Sequence, residues 1–397
     1  MKGSKRLNEL SVSQTLAQSK EVRRLKALGQ DVVGLTLGEP DMDTPLHIRE
    51  AAIEAVHNGF THYPPVAGIP ALREGIAKKL QEQNNIPVQA ENIVVSTGAK
   101  QSLVNVIMSL VNPGDEVIII KPYWVSYKEM LKLSEARIVE LETTLDSEFK
   151  LTPSALEQAI TPSTRLVIFN SPNNPTGSVY TSEEMQALSK VLLAHEHVYV
   201  IADEIYEHIC YGEKPISFAS IPELFARTIT INGFSKGFAM TGWRLGYMAA
   251  PKWIAELCEK LQGQVTSGAN SIGQKAAVAA INGSLEPSLA FVREFKERRD
   301  YLVSRFKEID GVNFFIPSGA FYFYPDLSAF IGKKTPGGKV IANIDELCEY
   351  LLYEGNLAVI SGSAFGTQQH VRISYAYSME TLEKGMDRLQ SSLAALI

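Results

Sequence analysis

Lys236 has the sequence setting of a reactive amine. It follows the apolar run Thr228–Ile231, and a lysine at the end of a buried strand is costly to keep charged, so its pKa can fall. Arg244 comes eight residues later, past a glycine-containing turn, and supplies a fixed positive charge. An amine beside a fixed cation suits an aldehyde that carries a phosphate. Pyridoxal phosphate, held through a Schiff base, is the obvious candidate.

The composition of the chain excludes several other classes of function. Of 397 residues, 45% are hydrophobic and 21% are charged, and the net charge of -6 comes with no basic patch, so we expect no nucleic-acid partner. No apolar run approaches the ~20 residues that a membrane helix needs, and we see no signal peptide. Cys210, Cys258 and Cys348 lie far apart without metal-ligand spacing. We therefore expect a cytoplasmic protein without disulfides or a metal site.

Short apolar runs alternate with helical patterns from about residue 90 onward. Helical stretches between most of these runs predict βαβ units and a mostly parallel sheet, buried on both faces. Such a sheet binds its ligands at the carboxyl ends of the strands. The predicted strands are Asn92–Val95, Glu116–Ile120, Arg137–Leu141, Leu166–Phe169, Val198–Ala202 and Thr228–Ile231.

The pattern changes after about residue 275 to a helix followed by irregular strands, which predicts a smaller α+β domain. An amphipathic helix over residues 13–29 is expected to pack on it. We therefore divide the chain into an N-terminal helix and segment (residues 1–40), a large cofactor-binding domain (41–285) and a small C-terminal domain (286–397). The predicted elements of the last part are helices at Leu289–Lys307 and Asp345–Glu354 and strands at Phe314–Pro317, Ala320–Tyr324 and Val371–Tyr375.

Polar or aromatic residues follow five of the predicted strands and so gather at one edge of the sheet. Each has an ordinary structural alternative. Asn174 could form a turn and Asp203 could cap a helix. Tyr206 and Trp124 could be core, Gly98 a tight turn, Lys100 a solvated lysine and Arg244 part of a surface ion pair. Arg372 lies among apolar neighbours, and a buried arginine needs an anion.

Taken together and in this order, the segments resemble the fold-type I pyridoxal phosphate-dependent aminotransferases of class I/II. Gly233–Gly246 is similar to the lysine motif of that family, and the resemblance covers nearly the whole chain. Within the family the chain is most similar to the bacterial aspartate aminotransferases. The other matching segments are Gly38–Asp41, Tyr63–Pro65, Pro122–Trp124, Asn173–Gly177, Asp203–Tyr206 and Arg372.

The resemblance implies an α/β fold with a large domain, built on a mostly parallel seven-stranded sheet, and a smaller α+β domain. It also implies roles around the cofactor ring. Lys236 resembles the lysine that forms the Schiff base and moves the proton. Asp203 matches the carboxylate paired with the pyridine nitrogen, and Tyr206 and Asn174 match the groups that hydrogen-bond the phenolic oxygen. Trp124 matches the aromatic residue that stacks on the ring.

The resemblance likewise implies how the phosphate is held. Gly98, Ala99 and Lys100 open a helix whose backbone N–H groups would meet the phosphate, and Arg244 would add a charged fork. Tyr63 matches a tyrosine that reaches the site of the neighbouring subunit, which implies a homodimer with shared active sites.

One position departs from the family pattern. Many relatives carry serine or threonine three residues before the lysine, where it touches the phosphate. This chain has Gly233 there, and Ser235 is a possible replacement to which we assign no role.

For the substrate, the resemblance implies that Arg372 binds the α-carboxylate, with Gly38, Trp124 and Asn174 nearby. Lys100 resembles the lysine that binds a second carboxylate, although a role at the phosphate or in solvent is its rival. Ser13 and Thr15 stand where relatives place residues that close over the substrate.

We therefore expect transamination between L-aspartate and 2-oxoglutarate, giving oxaloacetate and L-glutamate. Aromatic, prephenate, alanine or branched-chain substrates are the alternatives within the family, and a carbon–sulfur lyase on the same fold is a neighbouring one. A non-catalytic transcription regulator is disfavoured, because residues 1–30 are too short for a DNA-binding domain and the charge balance is wrong.

Overall fold

The computed structural model describes residues 3–397, which form twelve strands and fourteen α-helices. The strands are β1 Val33–Gly34, β2 Ile93–Ser96, β3 Glu116–Ile120, β4 Arg137–Leu141, β5 Thr164–Asn170, β6 Tyr199–Asp203, β7 Thr228–Gly233, β8 Gly246–Ala249, β9 Tyr322–Phe323, β10 Leu357–Ala358, β11 Ile360–Ser361 and β12 Val371–Ser374. The helices are α1 Lys5–Asn8, α2 Gln14–Ala27, α3 Leu46–His57, α4 Pro70–Asn84, α5 Ala99–Leu110, α6 Ser126–Leu133, α7 Pro153–Ala159, α8 Ser182–Ala194, α9 Pro222–Phe225, α10 Lys252–Val265, α11 Ser271–Asn282, α12 Glu286–Phe306, α13 Ile344–Tyr353 and α14 Met379–Ala394.

Seven strands form one sheet in the order β2-β8-β7-β6-β5-β3-β4, which confirms the expected fold. Strand β8 runs antiparallel to both of its neighbours, and the remaining pairs are parallel. Asn170 pairs with Asp203, and Asp203 in turn pairs with Ile231. The register therefore brings the carboxyl ends of β5, β6 and β7 side by side, where the site must form.

The sheet is covered on both faces. Val117 and Ile119 of β3 belong to one apolar cluster, whereas Ile118 between them belongs to another. Successive side chains of a strand point to opposite faces, so this division shows that helices bury each face. Apolar residues on both faces explain why the strands read as continuous hydrophobic runs rather than as alternating patterns.

The six predicted strands of this sheet are confirmed, within about two residues at each end. The seventh, β8, was missed: it has four residues, directly follows the Lys236 loop, and begins with glycine and ends with alanine, both of which are depleted in strands. The predicted strand at Phe314–Pro317 is wrong. Only an isolated bridge between Asn313 and Asp326 forms there, and Pro317 has no N–H with which to extend a ladder.

Two small sheets lie outside the seven-stranded sheet, and one of them joins the N-terminal segment to the C-terminal part of the chain. Strand β1 pairs in parallel with β10, and β12 lies between β11 and β9 in an antiparallel sheet. Helix α2 buries Val22 and Leu25 in a cluster with Leu352 and Ala358. The N-terminal segment is therefore anchored on the C-terminal third of the chain. None of the helices in residues 3–397 has both the length and the apolar composition required to cross a membrane.

A buried ion pair fixes the turn that follows β6. Lys79 of α4 bonds to Glu207, whose second carboxylate oxygen accepts from Asn84 at 2.8 Å. Both charged side chains are almost fully buried, at 4% and 3% exposure. Burial alone would raise the pKa of Glu207, but Lys79, His208 and Asn84 hold it well below its usual range. The pair thus ties α4 to the segment that carries Asp203 and Tyr206.

We expect Lys79→Met to lower the free energy of unfolding by about 3–5 kcal/mol, because it leaves the Glu207 carboxylate buried without a cation. The double variant Lys79→Met/Glu207→Met should recover a large part of that loss, since no isolated charge then remains. Urea denaturation followed by circular dichroism measures both. Lys252→Met, which breaks an exposed ion pair with Glu91, is the control and should barely move the midpoint. A Lys79→Met variant as stable as the wild type would contradict the assignment.

Candidate active site

A cavity of about 280 Å³ lies at the carboxyl ends of the central strands. Asn170 and Asp203 end β5 and β6, and Ser235 and Lys236 follow β7. Ten of the predicted site residues line this cavity: Gly38, Ala99, Lys100, Trp124, Asn174, Asp203, Tyr206, Lys236, Arg244 and Arg372. Of the two others, Gly98 lies next to Arg244, whereas Tyr63 stands apart with 93% of its surface exposed.

The Lys236 amine is held at the floor of the cavity. It follows a strand that is buried at every residue, and its Nζ donates a hydrogen bond to the carbonyl oxygen of Gly38 at 2.5 Å. Burial lowers the pKa of Lys236 to about 8; Glu39 opposes the shift, and the charges of Arg372 and Arg244 add to it. A substantial fraction of the amine is therefore neutral near physiological pH and able to attack a carbonyl carbon.

Asp203 is a buried carboxylate with two donors. The Tyr127 hydroxyl donates to Oδ2 at 2.5 Å, and the Ile205 backbone N–H donates to Oδ1 at 3.3 Å. Burial raises the pKa of Asp203 to about 6, and these two bonds, together with the charge of Lys236, oppose the shift. The side chain is thus mostly ionised at neutral pH, inside a low-dielectric site where it favours a cationic partner.

Asn170 links two strand ends. Its side-chain amide donates to the backbone oxygen of Asp203 at 2.9 Å, and its amide oxygen accepts from the backbone N–H of Asn174 at 2.8 Å. Beside them, the hydroxyls of Tyr206 and Tyr322 lie 2.7 Å apart. These bonds fix the loop of Asn174 and the side chain of Tyr206 against the sheet.

Arg372 is a buried cation, and no carboxylate in residues 3–397 forms an ion pair with its guanidinium. Its two terminal nitrogens donate to the amide oxygen of Asn174 at 3.0 Å and to the carbonyl of Thr36 at 2.7 Å. Within residues 3–397, its Nε is buried and has no hydrogen-bond partner. The guanidinium lies over the ring of Tyr322, 4.6 Å from the centroid. A buried arginine with an unused donor, facing a cavity, is suited to bind a carboxylate.

The start of α5 and Arg244 form a second place for an anion. The first N–H groups of a helix have no partner within it, and the residue that precedes α5 is Gly98, with φ +82°. A Cβ at Gly98 would lie 2.6 Å from a terminal nitrogen of Arg244. Only glycine therefore lets the guanidinium approach the helix terminus.

Close backbone packing explains the departure at Gly233. A Cβ there would lie 2.8 Å from Cα of Gly246 and 3.0 Å from the carbonyl oxygen of Leu245, so a serine or threonine does not fit without moving β8. Ser235, two residues on, is buried and lines the cavity.

Lys100 and Trp124 form another side of the cavity. The Nζ of Lys100 lies 4.9 Å from the centre of the Trp124 ring, within reach of a cation–π interaction. Lys100 is an exposed residue, but desolvation and the nearby charge of Arg244 lower the pKa of its amine. Ser13 and Thr15, before and at the start of α2, line the cavity as well.

Sequence reasoning assigned no role to several residues that line this cavity, among them Glu39, Tyr127, Asn170 and Tyr322. A weak signal existed for two of them. Asn170 follows the predicted strand Leu166–Phe169 directly, and Tyr127 lies three residues after Trp124, close to one helical turn. Tyr322 gave no signal, because it reaches the site from a strand more than one hundred residues away in the sequence.

The site fits pyridoxal phosphate. An amine of lowered pKa, a buried carboxylate and an anion site at a helix terminus all belong to one cavity. Arg372 lines the same cavity, and its guanidinium bonds only to an amide oxygen and a backbone carbonyl among residues 3–397, which leaves a further site for a carboxylate. An aldehyde, a ring nitrogen and a phosphate in one small molecule would satisfy the first three together, and an amino-acid substrate would satisfy the fourth.

Comparison with known proteins gives the same answer. The sequence profile of the family described as aminotransferase class I and II matches residues 30–389. A bifunctional aspartate aminotransferase and glutamate/aspartate-prephenate aminotransferase of Petunia hybrida is 46% identical, over 99% of this chain and 83% of its own. An aspartate/prephenate aminotransferase of Nitrosomonas europaea is 41% identical, over 99% of this chain and 100% of its own.

Solved structures agree with the sequence matches. The aspartate aminotransferase from Rhizobium meliloti superposes with a TM-score of 0.97 at 40% identity, and covers 100% of both chains. The aspartate aminotransferase from Thermus thermophilus, solved with maleate, has a TM-score of 0.91 at 39% identity over 99% of this chain and 100% of its own. With the matching profile and the cavity chemistry, these similarities show that the chain belongs to the class I and II aminotransferases, which depend on pyridoxal phosphate.

Proposed function

We propose that the protein transfers the amino group between L-aspartate and 2-oxoglutarate, giving oxaloacetate and L-glutamate. The observation that carries the proposal is that two cations line one cavity. One is the buried Arg372, whose Nε has no hydrogen-bond partner in residues 3–397, and the other is Lys100. Two cations suit a substrate with two carboxylates, as both reactants have. The relatives named as aspartate aminotransferases support the same choice.

The ring of the cofactor would be held by residues from four strand ends. Lys236 would bond to it covalently, and Asp203 would pair with its ring nitrogen. Tyr206 and Asn174 would bond its phenolic oxygen, and Trp124 would cover one face. Bound in this way, pyridoxal phosphate supplies an electron-accepting ring that stabilises the negative charge formed at Cα of the amino acid. Asp203, which is mostly ionised at neutral pH, would keep the ring nitrogen protonated.

The phosphate would lie at the start of α5. The backbone N–H groups of Ala99 and Lys100 would bind it beyond the close approach that Gly98 permits, and Arg244 would add charge. Tyr63 lies at the surface of the single chain, and its 93% exposure supports a role in the site of a second copy. We therefore propose a homodimer with shared active sites.

Substrate binding and proton transfer would fall to three residues. Arg372 would bind the α-carboxylate beside the backbone of Gly38, and so fix the Cα–H bond in position. Lys100 would bind the distal carboxylate. The Nζ of Lys236, whose pKa is about 8, would remove the proton from Cα of the amino acid in one half of the reaction. In the other half it would return a proton to Cα of the keto acid that is being aminated.

Prephenate is the second candidate acceptor. Several relatives over 40% identical to this chain carry both aspartate and prephenate in their names. Prephenate has two carboxylates on a bulky ring, so the same pair of cations would serve it.

We further propose a cytoplasmic enzyme whose chain is divided into an N-terminal segment (residues 1–40), a large domain (41–285) and a small domain (286–397). This division is supported by the confinement of the seven-stranded sheet to residues 93–249 and the pairing of β1 with β10.

The rate at which the apoprotein binds pyridoxal phosphate should rise about tenfold per pH unit up to about pH 8 and then level off. Only the neutral amine attacks the aldehyde, and below its pKa the neutral fraction falls tenfold per unit. Stopped-flow absorbance measures the rate. A model lysine peptide, with a pKa of about 10.4, is the control and should keep accelerating beyond pH 9. Lys236→Ala should show neither the visible absorbance band of the Schiff base nor any transamination. If the rate of cofactor binding by the wild type still increases at pH 10, the lowered pKa of Lys236 is contradicted.

Lys100→Ala should reduce kcat/KM for aspartate by about 10- to 100-fold, the value of one charged hydrogen bond, and leave alanine and phenylalanine within about threefold. Steady-state kinetics with the three donors gives the comparison. Equal losses for all donors would instead place Lys100 at the phosphate. A wild-type enzyme that prefers alanine or phenylalanine to aspartate would overturn the proposed substrate.

Tyr63→Phe should weaken pyridoxal phosphate binding by about tenfold or more, through the loss of a hydrogen bond to a charged group. Mixed with Lys236→Ala subunits, it should form hybrid dimers in which one site regains both residues and the full affinity. Equilibrium dialysis counts the tight sites, and Tyr353→Phe, a tyrosine 58% exposed on α13, is the control. No recovery in the hybrids would show that the sites are not shared.

A further inference from the structure

Tyr322 stands between the two parts of the site, and none of the roles above uses it. It lies in β9, opposite Ser374 of β12, and only 1% of its surface is exposed. Its hydroxyl is 2.7 Å from that of Tyr206, and its ring lies under the guanidinium of Arg372 at 4.6 Å. One side chain therefore touches both a residue that faces the cofactor ring and the residue that faces the substrate carboxylate.

The backbone also makes room for the Tyr322 hydroxyl. A Cβ at Gly38 would lie 2.2 Å from that oxygen, so glycine is required where the N-terminal segment crosses the site. Gly38 is the same residue whose carbonyl accepts the hydrogen bond from Lys236. A phenylalanine in place of Tyr322 would fill the space of the ring but could not form the hydrogen bond to the Tyr206 hydroxyl. The Tyr322 hydroxyl therefore has a function beyond packing.

The distance between the two hydroxyls would allow either one to donate to the other. The guanidinium of Arg372 lies 4.6 Å from the centre of the Tyr322 ring, and its positive charge draws electron density from that ring and makes the Tyr322 hydroxyl the better donor. In this arrangement Tyr322 donates its proton to the oxygen of Tyr206. The proton of Tyr206 then remains available for an acceptor in the cavity.

We propose that Tyr322 is a positioning residue that directs the Tyr206 hydroxyl toward the cofactor's phenolic oxygen and couples it to Arg372. This inference rests on the proposed function only in that Tyr206 faces that oxygen. When a carboxylate neutralises the charge of Arg372, Tyr322 becomes a weaker donor, and the bond from Tyr206 weakens with it. Substrate binding at one end of the cavity thus changes the hydrogen bonding at the other end, in parallel with the direct contact of Arg372 with Asn174.

The test is the Tyr322→Phe variant of the holoenzyme. The visible absorbance of the bound cofactor is titrated with pH, with and without maleate as the dicarboxylate. Without maleate, the pH at the midpoint of the absorbance change should rise by about 0.3–1 unit in the variant. The reason is that Tyr206, without Tyr322, is a weaker donor and stabilises the ionised phenolic oxygen of the cofactor less. The shift that maleate causes in the wild type should become smaller. The affinity for maleate should stay within about threefold, since the ring under Arg372 remains.

Tyr324→Phe is the matched control. Tyr324 is equally buried, two residues further along, and its hydroxyl bonds to Thr367 at 2.7 Å rather than to Tyr206. It should leave the midpoint unchanged. In a Tyr206→Phe background, adding Tyr322→Phe should move the midpoint no further, because the two hydroxyls act as one unit.

An unchanged midpoint in Tyr322→Phe, or equal shifts in Tyr322→Phe and Tyr324→Phe, would overturn the proposal. Additive shifts in the double variant Tyr206→Phe/Tyr322→Phe would also overturn it. If Tyr322→Phe alone folds poorly, the comparison of this double variant with Tyr206→Phe still gives the answer. The titration needs the bound cofactor and no particular amino donor. An enzyme that prefers another donor would therefore overturn the proposed substrate and leave the result for Tyr322 intact.

Discussion

The chemistry of this site depends on one desolvated amine. Lys236 lies at the end of a fully buried strand, and burial, with Arg372 and Arg244 nearby, brings its pKa to about 8. An ordinary lysine on the surface would remain protonated and unreactive at neutral pH. The fold provides this environment because β7 is an inner strand of the sheet, so its carboxyl end is enclosed by neighbouring strand ends rather than by water.

A set of side-chain contacts around the cavity, most of them hydrogen bonds, holds the reactive groups in place. Tyr127 supports Asp203, Asn170 joins Asp203 to the Asn174 loop, and Tyr322 joins Tyr206 to Arg372. Three of these bonds join residues 33 to 116 positions apart in the sequence, so they exist only in the folded chain. Because the groups are buried, such bonds are strong and costly to break, which keeps the side chains fixed within the small tolerance that catalysis requires.

The sequence predicted what local patterns determine. Strands β3 and β4 were predicted to the residue, since β-branched runs bounded by turns are a strong signal, and ten of twelve predicted site residues line the cavity. Strand β8 was missed because its glycine-led segment depends on pairing with β2 and β7 for its extended form. Tyr322 was missed for a similar reason: its hydroxyl gains meaning only beside Tyr206 and Gly38, and no periodicity records a contact over such a separation.

The glycines of the site show how tertiary contacts explain a motif better than turn propensity does. Gly98 could have been read as a turn former, yet the space of its missing side chain is taken by Arg244. At Gly233 the backbone of β8 occupies the space that a side chain would need, and at Gly38 the Tyr322 hydroxyl occupies it. At each of these positions a cation, a strand or a donor approaches the chain more closely than any Cβ allows. The absence of serine or threonine at position 233 is thus the consequence of tight packing between β7 and β8, and Ser235, two residues further on, is buried and lines the cavity.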